Sequence, residues 1–158
     1  MSEINFPKKL PSKRMAAAAL LLNKQHEILI VKPVYREAWL LPGGIVEEGE
    51  SPRQACIREV REELELDIAA RKLLCVDYKV QQGKREEGIE FIFFGGVLAE
   101  EEVRRIQFQE EELEEIRFVK LDEAMKLLNP WSARRVPFAV GALQEGMTVY
   151  LEDGLAVE

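Results

Sequence analysis

Residues 42–66, PGGIVEEGESPRQACIREVREELEL, constrain this chain more than any other stretch. A Pro-Gly-Gly turn opens into a glutamate-rich loop and then into a helix. Ser51 stands at the N-cap, Pro52 at the first helical position, and Gln54 three residues after the serine, which together predict a capping box. At 100° per residue, Cys56, Ile57, Val60 and Leu64 share one face, while Glu59, Glu62 and Glu63 gather on the neighbouring one. The helix therefore has a core side and an acid side.

Like charges so close together need an explanation. At about 5 Å and an effective dielectric of about 20, each carboxylate pair costs on the order of 3 kcal/mol. Two arrangements relieve this. One is solvation with arginine partners, and Arg58 and Glu62 have the i,i+4 spacing for it. The other is a bound divalent cation. The preceding loop bears on the choice, because Gly43 and Gly44 allow close backbone approach to a ligand, and Glu47, Glu48 and Glu50 bring further acid to the same place. Hard oxygen donors of this kind suit Mg²⁺ or Mn²⁺, which bind a few carboxylates together with substrate phosphates.

These residues resemble the Nudix box, Gly-x5-Glu-x7-Arg-Glu-U-x-Glu-Glu-x-Gly-U, where U is aliphatic. The match runs from Gly44 through Glu50 to Arg58, Glu59, Val60, Glu62, Glu63 and Leu66. One position departs: Glu65 stands where the family has its second glycine. The box spans 23 of the 158 residues, and its flanks, Trp39 to Pro42 and Glu115 to Val119, also look like the family's surroundings. The resemblance implies an α/β (α+β mixed) fold, an αβα sandwich with a mixed β-sheet between helices. It further implies Mg²⁺- or Mn²⁺-assisted hydrolysis of a nucleoside diphosphate linked to another moiety. By position, Glu59, Glu62 and Glu63 match metal ligands, with a Gly43 or Gly44 carbonyl completing the set. Arg58 would hold the carboxylates, Glu50 would support the loop, and Glu62 or a loop glutamate would be the general base. The loop candidates are Glu110, Glu111, Glu112 and Glu115, and the sequence does not choose among them.

Composition narrows the partners. Net charge is −7 with a pI near 5.0, which argues against clamping long nucleic acid. It leaves a small phosphorylated substrate open, since a bound cation reverses the local sign. Cys56 and Cys75 are too few and too far apart for a zinc site or a disulfide scaffold, so a reduced, cytoplasmic setting is expected. His26 reads as a solvated turn residue. The apolar run Met15 to Leu22 reads as a buried strand rather than a signal peptide, and no stretch reaches the roughly 18 apolar residues of a membrane span.

Along the chain, residues 1–13 read as an N-terminal arm and 14–158 as one domain. Strands are expected at 15–22, 28–31, 68–82, 89–98 with a bulge at Gly95-Gly96, 103–108, 116–120 and 148–151. Helices are expected at 122–128, with Asp122 near the cap, and at 132–144, on the sheet face opposite the box helix. Tyr35, Arg36 and Trp39 are weak candidates for substrate contact, with Trp39 more simply a packing residue. Arg134 and Arg135 read as a solvated helix face. Other readings of the same residues are a non-catalytic nucleotide-binding module, an RNA 5′-end pyrophosphohydrolase, and a diphosphate-ester isomerase. The resemblance also admits a homodimer.

Overall fold

The structure is a computed structural model that describes residues 9–158; residues 1–8 of the expected arm lie outside the described residues. Strand β1 (Arg14–Leu22) turns back at Asn23, whose side chain caps the reverse turn by accepting from the backbone N–H groups of Gln25 and Glu27. β2 is Ile28–Pro33, β3 is Gly43–Ile45, and helix α1 is Pro52–Leu64. β4 (Lys72–Lys79), β5 (Gly88–Val97), helix α2 (Glu100–Arg104) and β6 (Leu113–Val119) follow. Helices α3 (Leu121–Leu127) and α4 (Pro130–Glu145) precede the short strands β7 (Val149–Glu152) and β8 (Leu155–Ala156).

The strands form one mixed sheet in the order β6-β2-β1-β5-β4-β7-β8, with β1 parallel to β5 and β4 parallel to β7. β1 meets β2 in register only at Leu22 and Ile28. Beyond that point the two strands diverge, and residues 39–45 enter the gap. Leu40 bridges to Val31 in both directions at 2.8 Å, the Ala19 N–H donates to the Pro42 carbonyl at 2.9 Å, and β3 pairs with Ala16 to Ala18. The split in the sheet carries the glycine turn into the middle of the molecule.

Each face of the sheet has its own core. Ala17, Ala19, Leu21, Leu29 and Val31 pack against Ala55, Cys56, Val60 and Leu64 of α1. Leu20, Leu22, Ile30, Leu74 and Ile92 pack against Ala124, Val136, Ala139 and Ala142 of α3 and α4. Each fully buried Leu, Ile or Val contributes about 1.5–3 kcal/mol relative to exposure. The box helix and the C-terminal helices thus lie on opposite faces, giving the expected αβα sandwich. The two cysteines belong to different cores and are both free.

Several expected elements need correction. Residues 103–108 are not a strand. Glu100 to Glu102 crowd a helix N-terminus, where negative charge is favoured, Glu102 accepts from the Ala99 N–H at 2.7 Å, and Val103 and Ile106 take helical spacing into the core. The strand expected at 68–82 begins only at Lys72, because the chain first leaves α1 through positive φ values at Glu65 and Ala70. Helix α3 is capped at Lys120, with Asp122 in its first turn, and α4 starts two residues earlier than expected, where Asn129 accepts from the N–H groups of Trp131 and Ser132. Arg135 is not on a solvated face but 6% exposed. The bulge at Gly95 is present, and a Cβ there would run into Leu21. No helix among the described residues is long and apolar enough to cross a membrane.

Candidate active site

The capping box forms as the sequence predicts. The Gln54 N–H donates to Ser51 Oγ at 3.1 Å, and the Ser51 N–H donates to Gln54 Oε1 at 2.8 Å. This start fixes the rotation of α1, and with it the direction of the acid side. Toward the core go Ala55, Cys56, Val60 and Leu64, all fully buried, with Ile57 partly so. Toward β3 go Glu59 and Glu63. At the far end Glu65 takes the left-handed conformation (φ 54°, ψ 33°) with its N–H on the Arg61 carbonyl. The helix exit of the family's glycine is kept, at the strain a side chain brings to it.

Arg58 is the hub of the site. Its Nε and Nη2 grip Glu50 in a fork at 2.7 and 3.0 Å, Nη1 reaches Glu59 at 2.8 Å and Glu62 at 3.1 Å, and Nη2 also donates to the Ile45 carbonyl at 3.0 Å. One guanidinium therefore joins loop, strand and helix, which a lysine's single ammonium cannot do. Glu50 in turn accepts from the Glu47 N–H at 3.0 Å, closing the loop. The Arg58 bond and that N–H hold the Glu50 carboxyl below its ordinary range.

Glu59 and Glu63 are the withdrawn pair. Burial pushes the Glu59 carboxyl up, partly offset by Arg58. Glu63 is pushed up to about 8, first by burial and then by the charge of Glu59, while the Gly43 N–H works the other way. Its Oε2 atom is buried with no hydrogen-bond partner. The turn explains how these side chains can sit so close to the backbone. A Cβ on Gly44 would collide with the Glu59 carboxylate, and one on Gly43 with Ala17 and Ala18 of β1. Gly43 moreover has φ +155°.

Among the described residues no three acids are preassembled into a cage. Arg58 holds Glu59 and Glu62 instead. Still, the donor set suits a hard divalent cation: carboxylates in excess of cations, a buried carboxylate oxygen without a partner, and backbone at arm's length. Such ions take a few protein ligands and fill the rest with water and phosphate.

Of the four loop glutamates, Glu112 is the one whose charge bears on Glu63. Its carbonyl accepts from the Val34 N–H at 3.1 Å, which docks the 109–113 turn on the loop after β2. Glu115 pairs instead with Arg117 at 2.8 Å, and Glu110 and Glu111 are exposed. The weak substrate candidates are not brought to the acids. Trp39 is 6% exposed in the core on the α3/α4 face, with the Arg117 guanidinium 4.7 Å from its ring centroid. Tyr35 and Arg36 pair with each other on an exposed loop. Sequence reasoning passed over Asp77, fully buried and ion-paired with Arg135; no motif marks it, and only the α4–β4 packing reveals it.

A mixed sheet split by a glycine turn, with an arginine-ordered acid helix beside the split, is the arrangement to which the comparisons with known proteins apply. The NUDIX domain profile matches residues 12–139, and the chain belongs to the Nudix family. Curated relatives include a putative 8-oxo-dGTP diphosphatase of Bacillus subtilis, 35% identical over 51% of this chain and 52% of its own length. Another is an 8-oxo-dGDP phosphatase of Danio rerio, 42% identical over 52% of this chain and 24% of its own length. The chain thus aligns with about half the length, or less, of these relatives. Among solved structures, a UDP-X diphosphatase superposes with TM-score 0.71 at 23% identity over 90% of this chain and 68% of its own. The MutT protein of Methanosarcina mazei does so with TM-score 0.66 at 21% identity over 87% of this chain and 99% of its own. At such identities the likeness shows the fold.

Proposed function

We propose that this chain hydrolyses a phosphoanhydride bond in a nucleoside diphosphate linked to a further group, using a divalent cation held by Glu59, Glu62 and Glu63. The observation that carries this reading is the Glu63 carboxylate, buried beside Glu59 with one oxygen unpartnered. A structural carboxylate would have its lone pairs satisfied, because a buried unpaired polar group costs about 1–3 kcal/mol or more. A side chain kept in that state is poised for a ligand.

When bound, the cation would neutralise diphosphate charge and make a bound water more acidic. The protein's own residues would do the rest. Arg58 keeps Glu59 and Glu62 oriented and Glu50 holds the loop over the helix start. The Gly43–Gly44 turn lets the Glu59 carboxylate and β1 close directly on the backbone. A carboxylate then takes a proton from the attacking water. Glu112 is suited to that step, since it comes from a separate loop and does not share Arg58 with the helix acids. Glu62, more than half exposed and bound to Arg58, is the other carboxylate able to do so.

The relatives' names suggest the panel: 8-oxo-dGTP, 8-oxo-dGDP, ADP-ribose, UDP-linked compounds, dinucleoside polyphosphates and 5′-triphosphorylated RNA. We expect Mg²⁺- or Mn²⁺-dependent release of phosphate or a nucleoside monophosphate from at least one of them. Glu63→Gln should lower that turnover by about 10³, near 4 kcal/mol in transition-state stabilisation, with the circular dichroism of the fold unchanged. Parental turnover in this variant would remove Glu63 from the mechanism. Cation-independent nucleotide binding with no turnover across the panel would leave a binding module instead.

A further inference from the structure

The two faces of the sheet are not covered equally. Register carries the α1 face across the strands: Ala17, which packs against α1, stands beside Phe91, Phe91 beside Val76, and Val76 beside Tyr150. Two residues along, the next row on that face runs Met15, Ile89, Tyr78, Glu152 and Leu155. Helix α1 reaches only the start of this surface. It packs on β1 and β3 and on the margin of β5, whereas the helix that packs on β4 and β7 is α4, on the opposite face. Among the described residues, Val76, Ile89 and Tyr150 accordingly belong to neither core. Tyr150 is 54% exposed and Leu155 57%.

This open strip is apolar along its middle and polar at its rim. At the Met15 end, Lys13 pairs with Glu87 at 2.6 Å and lies 5.8 Å from the centroid of the Tyr78 ring. From β1 to β8 the strip spans four strand spacings, about 19 Å, and from Val76 to Val80 it runs about 13 Å along the strands. An apolar surface of a few hundred Å², ringed by charge and rich in aromatic side chains, has the makeup of an association site.

The charges along the two sides of the strip point to what covers it. On the α1 side, Arg53 donates to the Ala69 carbonyl at 2.7 Å and so draws the loop after α1 back along the helix as a wall, which ends at the exposed Arg71. At the opposite edge of the sheet stand Glu152 and Glu158, both exposed. Among the described residues, neither arginine pairs with a carboxylate and neither glutamate with a cation. Unpaired arginines on one side and unpaired glutamates on the other make the strip complementary to itself. A two-fold axis parallel to the strands exchanges left and right without reversing the strand direction, so each copy's β8 edge meets the other's wall. Arg53 belongs to the Met15 end, where the Val46 N–H donates to the Met15 carbonyl at 2.9 Å just before α1, and Glu152 lies in the Met15 row. We propose that a second copy of this chain covers the strip in this way, with the two sheets packed face to face about 10 Å apart, Arg53 of each copy against Glu152 of the other and Arg71 against Glu158. The acid flank of α1 faces β3, away from the strip, so the interface leaves both acid sites open and does not rest on the hydrolase reading.

Sedimentation of the full chain over a dilution series in the micromolar range tests this directly. The parent should pass reversibly from dimer to monomer. Tyr150→Asp and Leu155→Asp, at positions more than half exposed, should each weaken association tenfold or more without altering the folded chain's circular dichroism. Met125→Asp, at an exposed apolar position on α3 across the sheet, should leave association as it was. Arg53→Glu and Glu152→Arg should each weaken the dimer, and the two combined should recover most of the loss, because the pair is then restored with its signs exchanged. A parent that stays monomeric throughout overturns the proposal. So does a dimer that Tyr150→Asp and Leu155→Asp leave intact, since it must use another surface. A double charge reversal that associates no better than the single ones overturns the two-fold arrangement.

Discussion

At the scale of single residues, two positions in the box ask opposite things of a side chain. Gly44 has no room for one, because the Glu59 carboxylate occupies the space a Cβ would take. Gly44→Ala must displace that carboxylate, which is itself held by Arg58 at 2.8 Å. We expect turnover to drop at least tenfold while the melting temperature moves by only a few degrees, as kinetics and a thermal melt on the same preparation would show. Glu65 is the reverse case, a side chain where none is wanted. At φ 54° it carries a left-handed penalty of about 1 kcal/mol. Glu65→Gly should therefore raise the melting temperature by roughly 2–4 °C and leave activity as it was. A fall in stability would mean that Glu65 contributes through its side chain more than its backbone loses.

The site's residues were legible in the sequence to different degrees, for physical reasons. Arg58, Glu59, Glu62 and Glu63 could be read because helical periodicity converts spacing directly into a shared face. Gly43 and Gly44 could be read as points of close approach, though the colliding partner could not. Glu112 could not be separated from Glu110, Glu111 and Glu115, since loop geometry has no period. Its distinction comes from the Val34 to Glu112 hydrogen bond, a contact across 78 positions. Trp39 packs in the core, as its simpler reading had it, but the sequence gives no sign of which face of the sheet it joins.

At the scale of elements, α1 was legible because its cap, first-turn proline and core stripe agree with one another. Helix α2 was not, because five residues of helix following a strand offer too little period to outweigh Val103, Ile106 and Phe108, which read as β-formers. The register of α4 on β4 was equally hidden, and it is fixed in part by a charge. Arg135 on α4 pairs with Asp77 on β4, and Asp77 Oδ1 also accepts from the Gly154 N–H at 2.9 Å, which anchors the β7–β8 turn. Both partners are buried. Removing one leaves the other charge uncompensated, at about 3–5 kcal/mol, whereas replacing both with apolar groups can be close to neutral. Asp77→Ala should therefore lower the melting temperature by roughly 6–20 °C. The double variant Asp77→Leu, Arg135→Met should recover most of the loss. Equal destabilisation by the single and double variants in thermal melts would show that the Gly154 contact, rather than the ion pair, is what holds the turn.

At the scale of the whole molecule, the sandwich supports the site by dividing its work between two cores. The α1 core fixes the acid helix, the α3/α4 core fixes the C-terminal layer, and the split between β1 and β2 admits the glycine turn between them. The acid cluster is electrostatically unfavourable in this arrangement: Glu59 and Glu63 are withdrawn from water and close to each other, and the Arg58 that reaches Glu59 is shared with Glu50 and Glu62. A cation that binds only the folded chain would relieve that repulsion and appear as added stability. The relation is RT ln(1 + [L]/Kd), about 1.4 kcal/mol at a concentration ten times Kd, or some 3–6 °C in melting temperature for a chain of this size. We therefore expect Mg²⁺ or Mn²⁺ to raise the melting temperature by that amount and K⁺ at matched ionic strength not to. Above about pH 8, where the Glu63 carboxyl is ionised in the folded chain, Glu63→Gln removes one of the two charges that repel each other. It should melt higher than the parent without the divalent ion and gain less from adding it. Equal gains in parent and variant would place the stabilising cation elsewhere on this acidic surface, and no gain in either would mean that Arg58 alone suffices to hold the carboxylates together.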